Sequence, residues 1–259
     1  MLSIDQLHKH FSEQFTLRID KLTVPPGDYL MLVGHSGSGK SVLLKSILGI
    51  LQPDGGRIVL DGREISTIPV HLRQLGWVPQ TPTLFPHLDV QRNICYGAHF
   101  DKQRLQHIAA LVGVEHLLTR NINNLSGGEY QLVCLARAIF RQPRMLLLDE
   151  PLTAIDITAR REVRKVLRRL HARGWTIIHV THDYREAIAL GTRVGLMENG
   201  SLLITGTPDE VFGKPRSDFS AEFVGTHNFL RGNVICSDKT SYFTTGQLRL
   251  RLPDYGVCG

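Results

Sequence analysis

The chain has 259 residues, 42% hydrophobic and 21% charged, a balance that excludes a disordered segment, a collagen-like repeat and a disulfide scaffold. Lysine and arginine (30) outnumber aspartate and glutamate (24), and the net charge of +6 permits an anionic ligand or membrane surface without requiring one. The length suits one large domain or two unequal ones.

No run approaches the roughly 18 uninterrupted apolar residues of a membrane span. Met1 to His10 lacks the apolar core of a signal peptide, which predicts a chain that stays in the cytoplasm. Cys95, Cys134, Cys236 and Cys258 lie far apart without a C-x-x-C pair and are expected to be reduced thiols.

Along the chain, Tyr29 to Val33 is an apolar run that stops at a glycine-rich stretch and passes into Val42 to Leu48: strand, loop, helix. Arg57 to Leu60, Asp61-Gly62 and Arg63 to Ile65 form a hairpin pattern, because Asp-Gly supplies the positive φ of a tight turn. Residues from about 90 to 140 read as helical. Met145 to Leu148 and Thr176 to Val180 have strand length. Between them Val163, Val166, Leu167 and Leu170 recur at helical spacing over Ala159 to Arg173. The seven basic residues there, Arg160, Arg161, Arg164, Lys165, Arg168, Arg169 and Arg173, suit a solvated outer face. Asn199-Gly200 turns a second hairpin between Val194 to Met197 and Leu202 to Ile204. Lys214-Pro215-Arg216-Ser217 marks a boundary, and from Phe229 onward the pattern turns to strands, clearest where Leu248, Leu250 and Leu252 alternate with Arg249 and Arg251. Strands separated by helices predict an α/β fold with a parallel-sheet core, decorated by antiparallel pieces. The last thirty or so residues are too few for an independent core. Val257, Cys258 and Gly259 form no cap or terminator, so a longer natural chain is expected.

Gly34-His35-Ser36-Gly37-Ser38-Gly39-Lys40-Ser41 fits the phosphate-binding P-loop. Its glycines let backbone N–H groups face the β-phosphate, and the next helix offers its positive end. Lys40 would neutralise β/γ oxygens and Ser41 would hold Mg²⁺. The strand Met145 to Leu148 ends in Asp149-Glu150, a Walker B pattern: Asp149 would bind Mg²⁺ through water, and Glu150 would polarise the attacking water.

Leu125-Ser126-Gly127-Gly128-Glu129-Tyr130-Gln131 resembles the signature motif of the ATP-binding cassette (ABC) family. Ser126 and the Gly127 and Gly128 amides start a helix and can cap a γ-phosphate. In the family that phosphate belongs to ATP held by a second subunit, so the resemblance implies a homodimer. The other family positions fall in order: Gln80 as the Q-loop glutamine that reaches Mg²⁺ and water, Asp156 in a D-loop Ala154-Ile155-Asp156, and His182 as the switch histidine. Phe11 takes the place of the aromatic that stacks on adenine, with Phe15 as its competitor, and Val42 stands where a second threonine is common. Leu132 and Ile155 depart from the usual arginine and leucine. None of these departures removes a group that touches nucleotide, which implies an active ATPase.

The resemblance covers residues 1 to about 212. It implies a P-loop NTPase cassette over 1–214, with a parallel core, an antiparallel β subdomain and a helical subdomain at about 90–140. Residues 215–259 would be a linker and part of a β-rich, oligobinding-like regulatory domain. Phe85-Pro86-His87-Leu88-Asp89-Val90 with Asn93 resembles importer cassettes, where this stretch helps form a groove for a permease coupling helix. Phe223-Val224-Gly225, Asn228 and Gly232 resemble the entry into the regulatory domain of the molybdate/tungstate group. That group implies a peripheral ATPase on the cytoplasmic face of the membrane, working with permease subunits and, indirectly, a solute-binding protein. Import of another solute (sulfate, iron, polyamine or sugar), an exporter cassette, an ABC protein acting on nucleic acid and a small-molecule P-loop kinase are the alternatives; nucleic acid is not an expected partner.

Overall fold

The computed structural model describes residues 1–12, 15–81, 83–213, 232–237, 240–245 and 248–252. The chain divides into two compact units, Met1–Lys214 and Pro215–Gly259. The expectations at Lys214 to Ser217, Phe223 to Gly225, Asn228, Phe229 and Val257 to Gly259 lie outside the described residues.

In the first unit β1 (Leu2–Ser12), β2 (Phe15–Val24), β3 (Tyr29–Val33), α1 (Lys40–Leu48), β4 (Gly55–Leu60), β5 (Arg63–Glu64) and β6 (Leu75–Val78) come first. The helices α2 (Val90–Cys95), α3 (Lys102–Val112) and α4 (Gly127–Phe140) follow. Then come β7 (Met145–Asp149), α5 (Ile157–Ala172), β8 (Ile177–Thr181), α6 (Tyr184–Leu190), β9 (Arg193–Glu198), β10 (Ser201–Gly206) and α7 (Pro208–Phe212). Among the described residues these strands make one sheet, in the order β5-β4-β1-β2-β10-β9-β3-β8-β7-β6. From β9 to β6 the pairing is parallel, and β3, β7 and β8 are buried along their whole length, as a sheet covered on both faces requires. The β5-β4-β1-β2 end is antiparallel and half exposed. Both hairpin turns form where Asp-Gly and Asn-Gly fall, with positive φ at Asp61, Gly62, Asn199 and Gly200.

The core gathers Leu30, Leu32, Met145, Leu147, Ile178 and Val180 from the parallel strands with Leu43, Leu44 and Ile47 of α1. In α5, Val163, Val166, Leu167 and Leu170 are buried at the predicted spacing. The basic face of that helix is less solvated than its composition suggests: Arg169 donates to the Leu111 carbonyl at 2.7 Å and Arg164 lies 3.5 Å from Glu186. No helix among the described residues is long and apolar enough to cross a membrane.

In the second unit β11 (Asn233–Ser237), β12 (Thr240–Thr245) and β13 (Leu248–Arg251) form an antiparallel sheet. Val234, Ile235, Leu248 and Leu250 are all exposed there, so the sheet buries little of its own apolar surface. Cysteine chemistry follows this division. Cys95 and Cys134 are free and buried, with burial pushing the Cys134 thiol up to about 12. Cys236 is disulfide-bonded, which corrects the expectation of a reduced thiol; a cross-link suits a sheet with so little core.

Candidate active site

The fully buried β3 delivers the chain to Gly34, whose Cβ, were there one, would lie 2.2 Å from the Met197 carbonyl oxygen, so only glycine lets the loop leave the sheet here. The loop turns back at Gly39, the N-cap of α1, which offers no side-chain hydrogen bond to the first helical turn. Those N–H groups are left for an anion. Lys40 is buried, and its Nζ folds back over the loop, donating to the carbonyls of Gly34 (2.8 Å) and His35 (2.7 Å) and to Ser38 Oγ (3.1 Å). Burial lowers its pKa, against the pull of Glu150 and Asp149.

Ser41 Oγ donates to Asp149 Oδ1 at 2.8 Å, joining the loop to the end of β7. Burial raises the Asp149 pKa, and that hydrogen bond opposes the shift. Glu150 takes φ 47°, a conformation uncommon for a non-glycine residue. Its Oε2 accepts from Thr153 Oγ1 at 3.0 Å and lies 3.2 Å from Nδ1 of His182, the residue that directly follows β8. Two adjacent parallel strands thus present a carboxylate and an imidazole to each other at their C-terminal ends.

A cleft of about 230 Å³ opens on these groups, lined by Ser36, Gly37, Gly39, Lys40, Ser41, Val42, Gln80 and Glu150. Phe15 lines it too. Phe11 is 48% exposed and packs against Phe15 at a centroid distance of 5.8 Å, one ring further out. His35 is exposed at the loop's outer edge.

Ser126, Gly127, Gly128 and Asp156 fall elsewhere. Ser126, Gly128 and Asp156 line a separate pocket of about 260 Å³ with Glu129 and Glu162, and it shares no residue with the P-loop cleft. Ser126 and Glu129 cap α4 reciprocally, and Asp156 caps α5 by accepting from the Thr158 and Ala159 amides. A Cβ at Gly128 would stand 2.5 Å from that of Ala159, so glycine here lets α4 and α5 meet.

A larger groove of about 710 Å³ runs past Val70, Trp77, Phe85, Tyr96, Arg137 and Arg141. Its Phe85 to Asp89 rim is fixed by Asn93, fully buried, which accepts from the Phe85 amide at 2.7 Å and donates to the Phe85, Leu88 and Asp89 carbonyls. Two contributions here have no sequence signal: that of Thr153, and that of Arg137, which donates to the Thr83 carbonyl and stacks on Phe85. Both are single polar residues whose partners are set by tertiary packing.

A strand-to-loop-to-helix phosphate cradle, a carboxylate strand beside it and a helical subdomain whose α4 starts at the capped Ser126-Gly127-Gly128 run define an ATP-binding cassette. The family model described as ABC transporter matches residues 17–153. The molybdate/tungstate import ATP-binding protein WtpC of Pyrococcus horikoshii is 38% identical over 261 residues, covering 98% of this chain and 74% of its own length. The spermidine/putrescine import ATP-binding protein PotA of Bacillus thuringiensis is 36% identical over 239 residues, covering 89% of this chain and 73% of its own. The solved structure of cbiO1 from Clostridium perfringens, part of the ABC transporter complex cbiONQ, superposes with a TM-score of 0.75 at 29% identity, covering 82% of this chain and 90% of that one. The chain belongs to the ABC transporter family. It is an ATP-binding ATPase subunit of the import type, similar in sequence to the molybdate/tungstate group.

Proposed function

We propose that two copies of this chain hydrolyse ATP as a homodimer on the cytoplasmic face of the membrane. They power uptake of an oxyanion, molybdate or tungstate, through permease subunits that a solute-binding protein supplies. One observation carries the dimer: the P-loop cleft and the Ser126 pocket share no residue, so one chain holds two half-sites. Each ATP is bound by the P-loop amides and Lys40 of one copy and closed over by Ser126, Gly127, Gly128 and Asp156 of the other. Phe15 and Phe11 supply the aromatic surface for adenine.

Ser41, Asp149 and Gln80 offer hard oxygen donors beside one another, the set that suits Mg²⁺, which when bound neutralises charge on the phosphate oxygens. Lys40 exchanges its loop carbonyls for β/γ oxygens. Glu150 takes the proton of the water that attacks the γ-phosphorus as ADP leaves, and His182 contacts the γ-phosphate from the neighbouring strand. The groove beside Phe85, Tyr96 and Trp77 supports docking of a permease helix, whose movement follows closure and reopening of the dimer.

Similarity to WtpC supports the oxyanion, and similarity to PotA keeps a polyamine as the second reading. The full-length protein, isolated from native membranes with its permease, should show ATPase stimulation by molybdate or tungstate in the presence of the binding protein. Stimulation by spermidine instead would keep the mechanism and overturn the substrate. Recovery of nucleic acid without a permease would overturn transport. Glu150→Gln should keep ATP binding, lose turnover by on the order of 100-fold or more and accumulate an ATP-bound dimer in size-exclusion chromatography; unchanged turnover would remove the general-base role.

A further inference from the structure

Beneath α6, which begins two residues after His182, lies a set of buried polar side chains that nucleotide chemistry leaves unused. Glu186 on α6 is 5% exposed. Its Oε2 accepts from Thr181 Oγ1 at 2.9 Å, and its Oε1 stands 3.5 Å from the Arg164 guanidinium of α5. The Thr181 hydroxyl in turn accepts from the Asp183 amide at 3.1 Å. The hydroxyl of the residue before His182 therefore holds the amide of the residue after it.

On the far side of Glu186 the fully buried His179 meets the Tyr29 hydroxyl through Nδ1 at 2.9 Å, while its Nε2 has no hydrogen-bond partner. That nitrogen is 3.9 Å from Glu186 Oε2, beyond hydrogen-bond reach. Burial holds the imidazole neutral, its pKa lowered to about 3. The contact is therefore not an ion pair, and Arg164 is the cation that balances Glu186. Burial raises the Glu186 pKa, and the Thr181 hydrogen bond and Arg164 act against that shift. An apolar side chain would fill this space at lower desolvation cost. What the carboxylate adds is direction: it holds one hydroxyl on β8 and one guanidinium on the helix capped by Asp156.

We infer that Glu186 is a positioning residue for hydrolysis: through Thr181 it fixes the backbone on both sides of His182, and through Arg164 it ties that histidine to the helix starting at Asp156. The inference rests on His182 taking part in hydrolysis, as proposed above.

Steady-state ATPase kinetics and thermal melts of the full-length chain test it, with Glu186→Gln and Thr181→Val each made alone and in a His182→Ala background. Each should lower kcat about tenfold with KM for ATP unchanged, the cost of a misplaced group rather than a lost binding contact. Thr181→Ser, which restores the hydroxyl, should return kcat to near the wild-type value. In the His182→Ala background neither substitution should lower kcat further, since the residue they position is gone. Unchanged kcat in variants that melt normally would overturn the inference. So would an equal fall in both backgrounds, or a fall that tracks the melting temperature. Should Glu186→Gln not fold, the Thr181→Val and Thr181→Ser pair carries the test. Wild-type turnover in His182→Ala alone would be a different failure, that of the role given to His182.

Discussion

The P-loop cleft and the Ser126 pocket each sit at a helix N-terminus, and the sequence prepares the two ends in opposite ways. At α1 the N-cap is Gly39, with no side chain to accept from the first turn and a buried lysine lying over the loop carbonyls. At α4 Ser126 and Glu129 cap each other, and at α5 Asp156 takes two amides. The first end is left short of acceptors and rich in positive charge. At the second, Ser126 Oγ accepts from the Glu129 amide, and Glu129 and Asp156 beside it are held ionised because backbone amides donate to their carboxylates. On the proposed reading a polyphosphate binds the first end and meets carboxylates at the second, which takes it only together with a cationic loop. The proposed homodimer, by bringing a P-loop from another copy, would give the Ser126 pocket a use.

Removing Lys40 should have the largest effect on nucleotide binding. Lys40→Ala should weaken ATP binding by about 100-fold, roughly 3 kcal/mol, because a charge-assisted contact to the phosphates is lost. The melting temperature without nucleotide should barely move, since the lysine's present partners are the Gly34 and His35 carbonyls and the Ser38 hydroxyl, all of its own loop. Calorimetric titration and melting with and without ATP measure both. Binding at wild-type strength would mean that the uncapped α1 end and its amides suffice.

Ser126→Ala should cost about 1 kcal/mol of stability through loss of the cap. Ser126→Asp keeps an oxygen acceptor for the Glu129 amide and so keeps the helix, but it sets a negative charge where the partner's γ-phosphate is proposed to sit. Its turnover should fall by on the order of tenfold or more at unchanged melting temperature. Wild-type activity in Ser126→Asp would separate this pocket from the nucleotide.

The parts of the site that are legible in the sequence are those fixed by local geometry. The P-loop, Asp149-Glu150 and Ser126 to Gln131 each carry their chemistry within one short run of consecutive residues, and the two hairpins are written in their turn dipeptides. β1 does not read as a strand, for a physical reason. Leu2 and Ile4 face inward, but Gln6 adopts φ 50° and the register against β4 shifts between Asp5 and His8, so Leu7 rather than Gln6 is buried. A bulge breaks the two-residue period that marks a strand. The choice between Phe11 and Phe15 suffers from the same gap, since it depends on the β1–β2 pairing, which sets Ser12 opposite Phe15. Glu186 is invisible for another reason: in Asp183 to Glu186 it reads as an ordinary acid in a helix's first turn, and only packing against α5 buries it.

A further prediction tests that buried set by titration. His179 has its pKa lowered from 6.5 to about 3, first by burial and then by Arg164. Between those values the unfolded chain binds a proton at this position and the folded chain does not. Stability contributed by the neutral imidazole is thus complete above pH 6.5 and declines as pH falls, by roughly 1 kcal/mol per pH unit. Glu186 works in the opposite sense: its raised pKa makes the folded chain take up a proton first, which favours folding as pH falls through that raised value. Tyr29 stays neutral throughout, its pKa raised by burial, and the Arg164 guanidinium is common to both proteins. His179→Gln removes one of these contributions and leaves the others in both proteins. Denaturation midpoints measured on either side of pH 6.5 should therefore diverge below it, the wild type falling faster. Parallel curves would mean that protons reach the imidazole in the folded chain, and the strand that presents His182 would then be open to solvent from beneath.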